Sequence, residues 1–266
     1  MIKRHGFSTT LIGLGLTLIS SLALGQAASL SQREIVDQMV AWTSYSGNLT
    51  IAKGTTLFVD GHFRYAQSEQ SITGLEPMQV LLRSHLEFKI KGKLTFSPFG
   101  YAYIHNYQYG KQPVSIINHE RRIYQQLAFS YNWGKTSIGH RLRTEERFIE
   151  EHDASGESTG FSNKQFRVRY RFMATRPIGK EKLEPHTFFT QAFYEGFISR
   201  GKKVTFDDID QNRLFVGVGY QPIKGLNLSV GPFYQMLVKA NGVKQENNIG
   251  MMFMVTQNID LTAKNQ

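Results

Sequence analysis

The sequence predicts an all-β chain: a transmembrane antiparallel up-and-down β-barrel of about twelve strands, within a range of about 10–12. Three observations carry this. First, the run FRVRYRF over 166–172 alternates Arg167, Arg169 and Arg171 with Phe166, Val168, Tyr170 and Phe172. On a strand, period two sends the three arginines to one face and the apolar side chains to the other. Second, the chain from Val36 onward repeats one unit, a long alternating segment followed by a turn, and these segments match the ~9 to 11 residues that cross a bilayer at a tilt. Third, the connections alternate between short and long, as the short periplasmic turns and longer outer loops of an outer-membrane barrel do.

Energetics then fix which face is which. Turning Arg167, Arg169 and Arg171 toward lipid would cost about 2–4 kcal/mol each near the midplane. For the whole strand that is comparable with the net stability of a protein. The arginines are therefore expected to face a wet lumen.

The N-terminus opens with Lys3 and Arg4, followed by an apolar stretch over 7–24 and small residues around Gly25 and Ala27. This is the three-part layout of a secretory signal peptide. Residues 1–25 are read as the leader, with cleavage after Gly25 or Ala27, and 36–258 as a single barrel domain in the Gram-negative outer membrane. No later stretch reaches the ~18 to 20 apolar residues of a membrane helix. A membrane-spanning chain must then be a barrel, since only helices and closed barrels satisfy every backbone group in lipid. The chain has no cysteine, which excludes a disulfide framework and thiolate metal sites. Its net charge of +10 becomes +8 once Lys3 and Arg4 leave with the leader.

Strands are predicted over 36–47, 55–66, 79–91, 94–107, 117–131, 136–149, 163–174, 186–197, 210–221, 226–238 and 246–257. Short turns are expected near 52–54, 91–93, 132–135 and 222–225, and long polar loops over 68–77, 109–118, 151–163, 199–209 and 239–246. The connection over 176–185 is of intermediate length but falls in a short-turn position. Eleven segments conflict with the even strand number of single-chain bacterial barrels, so a twelfth strand or a tucked-in N-terminal segment is expected.

Faces follow from the alternation. Leu82, Leu86, Phe88 and Ile90 oppose Arg83, His85, Glu87 and Lys89. Ile123, Leu127, Phe129 and Tyr131 oppose Glu120, Arg122, Tyr124 and Gln126. Leu214, Val216, Val218 and Tyr220 oppose Arg213, Gly217 and Gly219, while Leu226, Leu228, Val230 and Tyr234 oppose Asn227, Ser229, Gly231 and Gln235. Tyr101, Tyr103, His105 and Tyr107 form an aromatic edge expected near a membrane boundary. With aromatics at 12% and 24 glycines, the composition suits a lipid-facing band with aromatic girdles. The same rule directs His140 and Glu146 outward, which requires either a place near an interface or a bulge.

The lumen-lining set is Arg64, Arg83, Glu87, Glu120, Arg122, Arg141, Arg143, Glu145, Arg147, Arg167, Arg169, Arg171, Glu195 and Arg213, with Asp60 and Lys89 on the same faces. Eleven bases then meet five acids, an excess of six positive charges. Arg–Glu ladders that fill the interior would explain part of this set, because a guanidinium fork can bridge two carboxylates. Unpaired arginines would instead line a path for anions.

Enzyme chemistry is not expected. The histidines at 62, 85, 105, 119, 140, 152 and 186 are scattered, and no stretch joins a nucleophile, a base and an orienting acid. Asp207, Asp208, Asp210 and Asn212 lack the spacing of a calcium loop and are read as a solvated turn. No cofactor or metal is expected. The expected partners are outer-membrane lipids and lipopolysaccharide, with a small anionic solute and no nucleic acid, and the barrel is expected to be monomeric. The functional expectation is a narrow anion-preferring channel. The alternatives are a closed structural or binding barrel and, behind it, an outer-membrane lipid hydrolase.

Four runs follow one another in order: ERRIYQQL over 120–127, HRLRTEERF over 140–148, FRVRYRF over 166–172, and DQNRL over 210–214 leading to GVGY over 217–220. With Trp42 and Glu195, they make the chain resemble a bacterial family known as domain of unknown function 2490 over nearly all of the mature sequence. Tyr124 departs from the tryptophan expected there. The resemblance implies an outer-membrane barrel and assigns no activity or catalytic residues.

Overall fold

The computed structural model describes residues 33–68, 74–107, 117–201, 209–239 and 242–262. The expected leader at 1–25 lies outside the described residues.

Alternation converts directly into strands. The described chain is eleven of them: β1 (Glu34–Ala52), β2 (Thr55–Gln67), β3 (Leu75–Lys91), β4 (Leu94–Asn106), β5 (Asn118–Trp133), β6 (Thr136–His152), β7 (Ser158–Pro177), β8 (Thr187–Arg200), β9 (Ile209–Ile223), β10 (Leu226–Val238) and β11 (Lys244–Asp260). Each pairs with its sequence neighbour, and the sheet closes on itself in the order β1-β11-β10-β9-β8-β7-β6-β5-β4-β3-β2.

Closure corrects two expectations. There is no twelfth strand among the described residues, and the barrel is not antiparallel throughout. With eleven strands, the first and last run the same way, so β1 and β11 pair in parallel from Glu34↔Lys244 to Thr50↔Asp260. Parallel ladders are slightly weaker per residue, and this one compensates by length. The Glu34 amide donates to the Val243 carbonyl at 2.9 Å and the Leu261 amide to the Thr50 carbonyl at 2.9 Å, which extends it at both ends. At the seam, β11 comes so close to β1 that a Cβ on Gly250 would overlap the Val40 carbonyl. Only glycine permits that approach.

Four of the connections at one end are two-residue turns: Lys53-Gly54, Gly92-Lys93, Gly134-Lys135 and Lys224-Gly225. Each holds its glycine at φ between 57° and 82°, the left-handed region that glycine enters without steric cost. At the other end, one predicted long loop, 151–163, is mostly strand, and another, 239–246, gives its last three residues to one. β6 runs on to His152 and β7 begins at Ser158, so only 153–157 connect them, and β11 begins at Lys244 rather than 246. The polar composition of 151–163 belongs to a hairpin extension and not to a loop.

The outer surface is a broad apolar band. On β3, Leu82, Leu86, Phe88 and Ile90 are exposed, and Leu214, Val216 and Val218 on β9 and Ile249, Met251 and Phe253 on β11 continue the band. His140 and Glu146 also point outward, and no register shift separates them. His140 sits in an aromatic cluster with Phe129, Tyr131, Tyr170 and Phe172, and its Nδ1 is 2.7 Å from the Tyr170 hydroxyl. Glu146 is exposed between Ile123 and Phe166 on the neighbouring strands.

The interior has two walls of different chemistry. Along β2, β3 and β5–β7 it is charged. β1 and β8–β11 contribute most of an apolar cluster, with Val40, Trp42, Phe193, Phe215, Phe233 and Met252 buried together and Met173 and Met254 packed against it, beside inward polar and charged groups such as Glu195, Arg213 and Gln235.

Candidate functional site

Alternation on β5–β7 stacks basic side chains directly opposite one another on the inner face: Arg122↔Arg147, Arg141↔Arg171 and Arg143↔Arg169. Like charges in directly paired positions are destabilising unless carboxylates intervene. The acids that do so are few, and each serves several arginines. Glu120 accepts from Arg122 Nε at 2.7 Å and Nη2 at 3.0 Å, and also from Arg147 at 2.5 and 3.0 Å. Arg169 bridges two carboxylates: its Nη1 donates to Glu145 at 2.5 Å and its Nη2 to both Glu195 oxygens at 3.0 and 3.1 Å. Glu195 also accepts from Arg141 at 2.5 Å and from Arg213 at 3.5 Å.

The smaller pairs lie to either side of this belt. Arg83 donates to Asp60, which also contacts His62 Nε2 at 3.0 Å. Arg167 pairs with Asp210 at 2.7 Å, with Ser199 bonded to both. Asp210, expected in a solvated acidic turn, is therefore an inward ion-pair partner on β9; Asp207 and Asp208 lie outside the described residues.

Three arginines of the lumen set are left without a hydrogen-bonded carboxylate among the described residues. Arg143 donates to Gln126 Oε1 at 2.5 and 3.1 Å, stacks 4.3 Å over the Tyr124 ring and has its Nη1 3.8 Å from Glu145. Arg64 donates to Gln79 and lies 4.0 Å over Trp42, with its Nε buried and unpartnered. Arg171 makes no hydrogen bond or ion pair among the described residues, although Glu195 is paired directly opposite it on β8.

Aromatic faces take some of the remaining charge. Arg64 and Arg213 both stack on Trp42, while Arg167, Arg169 and Arg213 surround Phe197 at 4.7–5.6 Å. Each such contact contributes about 0.5–2 kcal/mol according to how far it is desolvated. Tyr124 fills the space over Gly100, and its hydroxyl reaches the Ser84 carbonyl at 3.1 Å and His85 Nδ1 at 3.0 Å. The polar end that a tyrosine brings here is thus bonded inside the wall.

These groups surround a cavity of about 1570 Å³. Its lining extends from Asn48, Lys93 and Ser130 at the short-turn end to Asn106, Asn118 and His152 at the other. The sequence-derived residues fall as follows. Arg64, Arg83, Glu87, Glu120, Arg122, Arg141, Arg143, Arg147, Arg167, Arg169, Arg171, Glu195 and Arg213 are on the cavity wall. Glu145 is enclosed behind it, with 2% of its side chain exposed, tied to Arg122, Arg143 and Arg169.

Sequence reasoning missed the apolar part of the lining: Trp42 in its lumen role, Met173, Phe189, Phe193, Met252 and Met254. The signal was present. Phe193 and Phe197 share parity with Glu195, and Phe215 shares it with Arg213, so a charge already fixed inward determines where those rings point.

No group of histidines and acids among the described residues is arranged to hold a metal ion. No curated protein and no solved structure matches the chain. The profile of one family, described as "Protein of unknown function (DUF2490)", matches residues 39–247. That stretch covers most of the barrel, from β1 to β11 and through every arginine of the lumen belt, and the chain belongs to this family.

Proposed function

We propose that the protein is an outer-membrane β-barrel of Gram-negative type whose lumen is a narrow, anion-preferring passage. The membrane part of the reading is supported by the outer surface. Exposed Leu, Ile, Val, Phe and Met side chains recur on every side of the barrel, far beyond the few hundred Å² of contiguous apolar patch usual on a soluble monomer. The expected leader at 1–25 agrees with export.

One observation carries the functional part: Arg64 and Arg171 line the cavity with no carboxylate partner among the described residues, while Glu120, Glu145 and Glu195 are each engaged by two or more other arginines. A lumen built only for packing has no use for the surplus. A lumen that attracts anions does, because unpaired bases lower the electrostatic barrier to an anion and raise it for a cation.

A closed structural barrel is the second reading. Its support is the same belt, since Arg143, Glu145 and Arg169 are almost fully enclosed. Reconstitution into planar bilayers separates the two. The passage gives small single-channel currents with anion preference, and Arg64→Ala with Arg171→Ala shifts the reversal potential toward cations. Absence of current, or cation preference untouched by both substitutions, rules the passage out. For the location, the unheated protein migrates faster on a gel than the boiled one and fractionates with outer membranes; recovery in the soluble periplasmic fraction would refute it.

A further inference from the structure

We propose that the lumen holds a binding site for an amphipathic anion, one negatively charged head carrying a long apolar tail, as in a fatty acid. The proposal rests on the anion-preferring lumen above and names the kind of anion.

The head site is the pair Arg141 and Arg171. They are directly opposite each other on β6 and β7 and both face the cavity. Arg141 gives its Nη2 to Glu195, and its Nη1 makes no hydrogen bond among the described residues. Arg171 has its whole guanidinium unspent among the described residues. Two adjacent forks with free N–H groups are suited to a carboxylate or a phosphate monoester, which accepts from both at once. Such an anion would also remove the repulsion between the two arginines.

The tail site begins one step along the same strand. Met173 follows Arg171 on the inner face and lies directly opposite Phe193 on β8. Phe193 stacks on Phe215 at 5.3 Å and belongs to the cluster that carries Met252, with Met254 against it. Met173, Phe193, Met252 and Met254 all line the cavity. A free inorganic ion needs no such wall. Water gains nothing from thioethers and phenyl edges, whereas an alkyl chain is stabilised by burial against them, and flexible methionines adapt to it. The cavity of about 1570 Å³ also exceeds the ~300–1,000 Å³ of ordinary small-molecule sites, so it has room for the tail. A pair of bases beside an apolar cluster selects for both properties in one molecule.

The molecule supplies its own reporter. It has two tryptophans, of which Trp42 lines the lumen and pairs with Met252 across the β1–β11 seam, while Trp133 points outward at the β5–β6 turn, 77% exposed. The Trp133→Phe variant, reconstituted in neutral phosphatidylcholine vesicles, leaves Trp42 as the sole emitter. Bromododecanoate, with bromine at the tail end, is titrated in as a contact quencher. The expected result is saturable quenching that unlabelled dodecanoate reverses and that bromododecanol, with the same tail and no charge, does not reproduce. Adding Arg171→Gln weakens the apparent affinity by about tenfold, the usual scale for a lost charged hydrogen bond, and Arg171→Lys recovers part of it.

Unsaturable quenching equal for acid and alcohol means partition into lipid and overturns the site. Saturable quenching insensitive to Arg171→Gln overturns the head assignment. Inorganic phosphate that displaces bromododecanoate as well as dodecanoate does shows that the tail is irrelevant and overturns the amphipathic class. The conductance of the same vesicles' protein tells the two readings apart: anion-selective current without saturable quenching sinks only the amphiphile site, and quenching that fails together with current sinks both.

Discussion

Arg169 is the residue on which the lumen belt depends most. It is held between Glu145 and Glu195, both nearly sealed from water, so truncating it leaves two enclosed carboxylates short of their main partner. Removing one member of a buried ionic cluster typically costs about 3–5 kcal/mol, because the remaining charge is stranded. Arg169→Ala is expected to lose that much in urea unfolding of the vesicle-reconstituted barrel, and Arg169→Lys to recover only part, since an ammonium cannot fork. A loss below about 1 kcal/mol, the scale of an exposed ion pair, would show that the belt is solvated and loosely held. Outside the barrel wall, Asp153 caps the β6–β7 hairpin loop. Its Oδ1 accepts from the Ser155 hydroxyl at 2.6 Å, the Ser155 amide at 2.9 Å and the Glu157 amide at 3.0 Å, and these bonds, the Ser155 hydroxyl first, hold its carboxyl below the ordinary value of 3.8. A depressed carboxyl orders its loop above the unfolded pKa and loses that contribution as pH falls through the folded one. Carbon-13 titration of the carboxyl should place its midpoint under 3.8 and move it upward in Ser155→Ala; a midpoint at or above 3.8 in the parent protein contradicts the cap.

Among the elements, the strands were legible because the lumen is charged and the outer face apolar, so period two survives along nearly every segment. Each of the eleven predicted segments falls on a strand of the barrel. What misled was composition at the strand ends. Residues 151–163 are rich in Gly, Ser and Asp and read as loop, yet Glu151↔Gly160 and Ile149↔Ser162 are paired rungs of the β6–β7 ladder. Above the apolar band both faces of a strand can be polar, and the alternation that announces a strand disappears. The apolar inner wall escaped for a different reason. Phe193 and Phe215 occupy inward positions where a lipid-facing pattern expects polar groups, and only the parity of Glu195 and Arg213 reveals them. The seam was legible least of all, because which strands meet at closure depends on the count of the whole set. It also has the sharpest single-residue requirement. Gly250 lies against the Val40 carbonyl, so Gly250→Val should force the parallel ladder apart where β11 meets β1. The expected outcome is a barrel that no longer resists unfolding on an unheated gel, while Gly139→Val, placed where a Cβ meets only open space and one backbone oxygen at 4.0 Å, keeps the fast-migrating form. If Gly250→Val migrates like the parent protein, the close approach at the seam is not essential to closure.

For the molecule as a whole, an odd strand count has a consequence that does not depend on what passes through the lumen. In an even-numbered up-and-down barrel, the first strand begins on the side where the last one ends. Here Glu34 starts β1 beside Lys244, at the same end as the 153–157 hairpin, and Asp260 ends β11 beside Thr50, at the end of the two-residue turns. The two limits of the barrel therefore lie on opposite faces. If the barrel sits in the outer membrane with its short turns toward the periplasm, an epitope inserted before Glu34 becomes accessible on intact cells together with one inserted at Ser155. An epitope inserted after Asp260 stays hidden until the outer membrane is opened. Exposure of all three epitopes on intact cells would mean that the envelope was leaky or that the chain does not span it. Exposure of Ser155 alone, with the sites at 34 and 260 protected together, would mean an even strand number and would break the parallel β1–β11 seam on which this topology rests. Labelling with a membrane-impermeant antibody distinguishes these patterns directly, and it tests the closure of the fold independently of any transport assay.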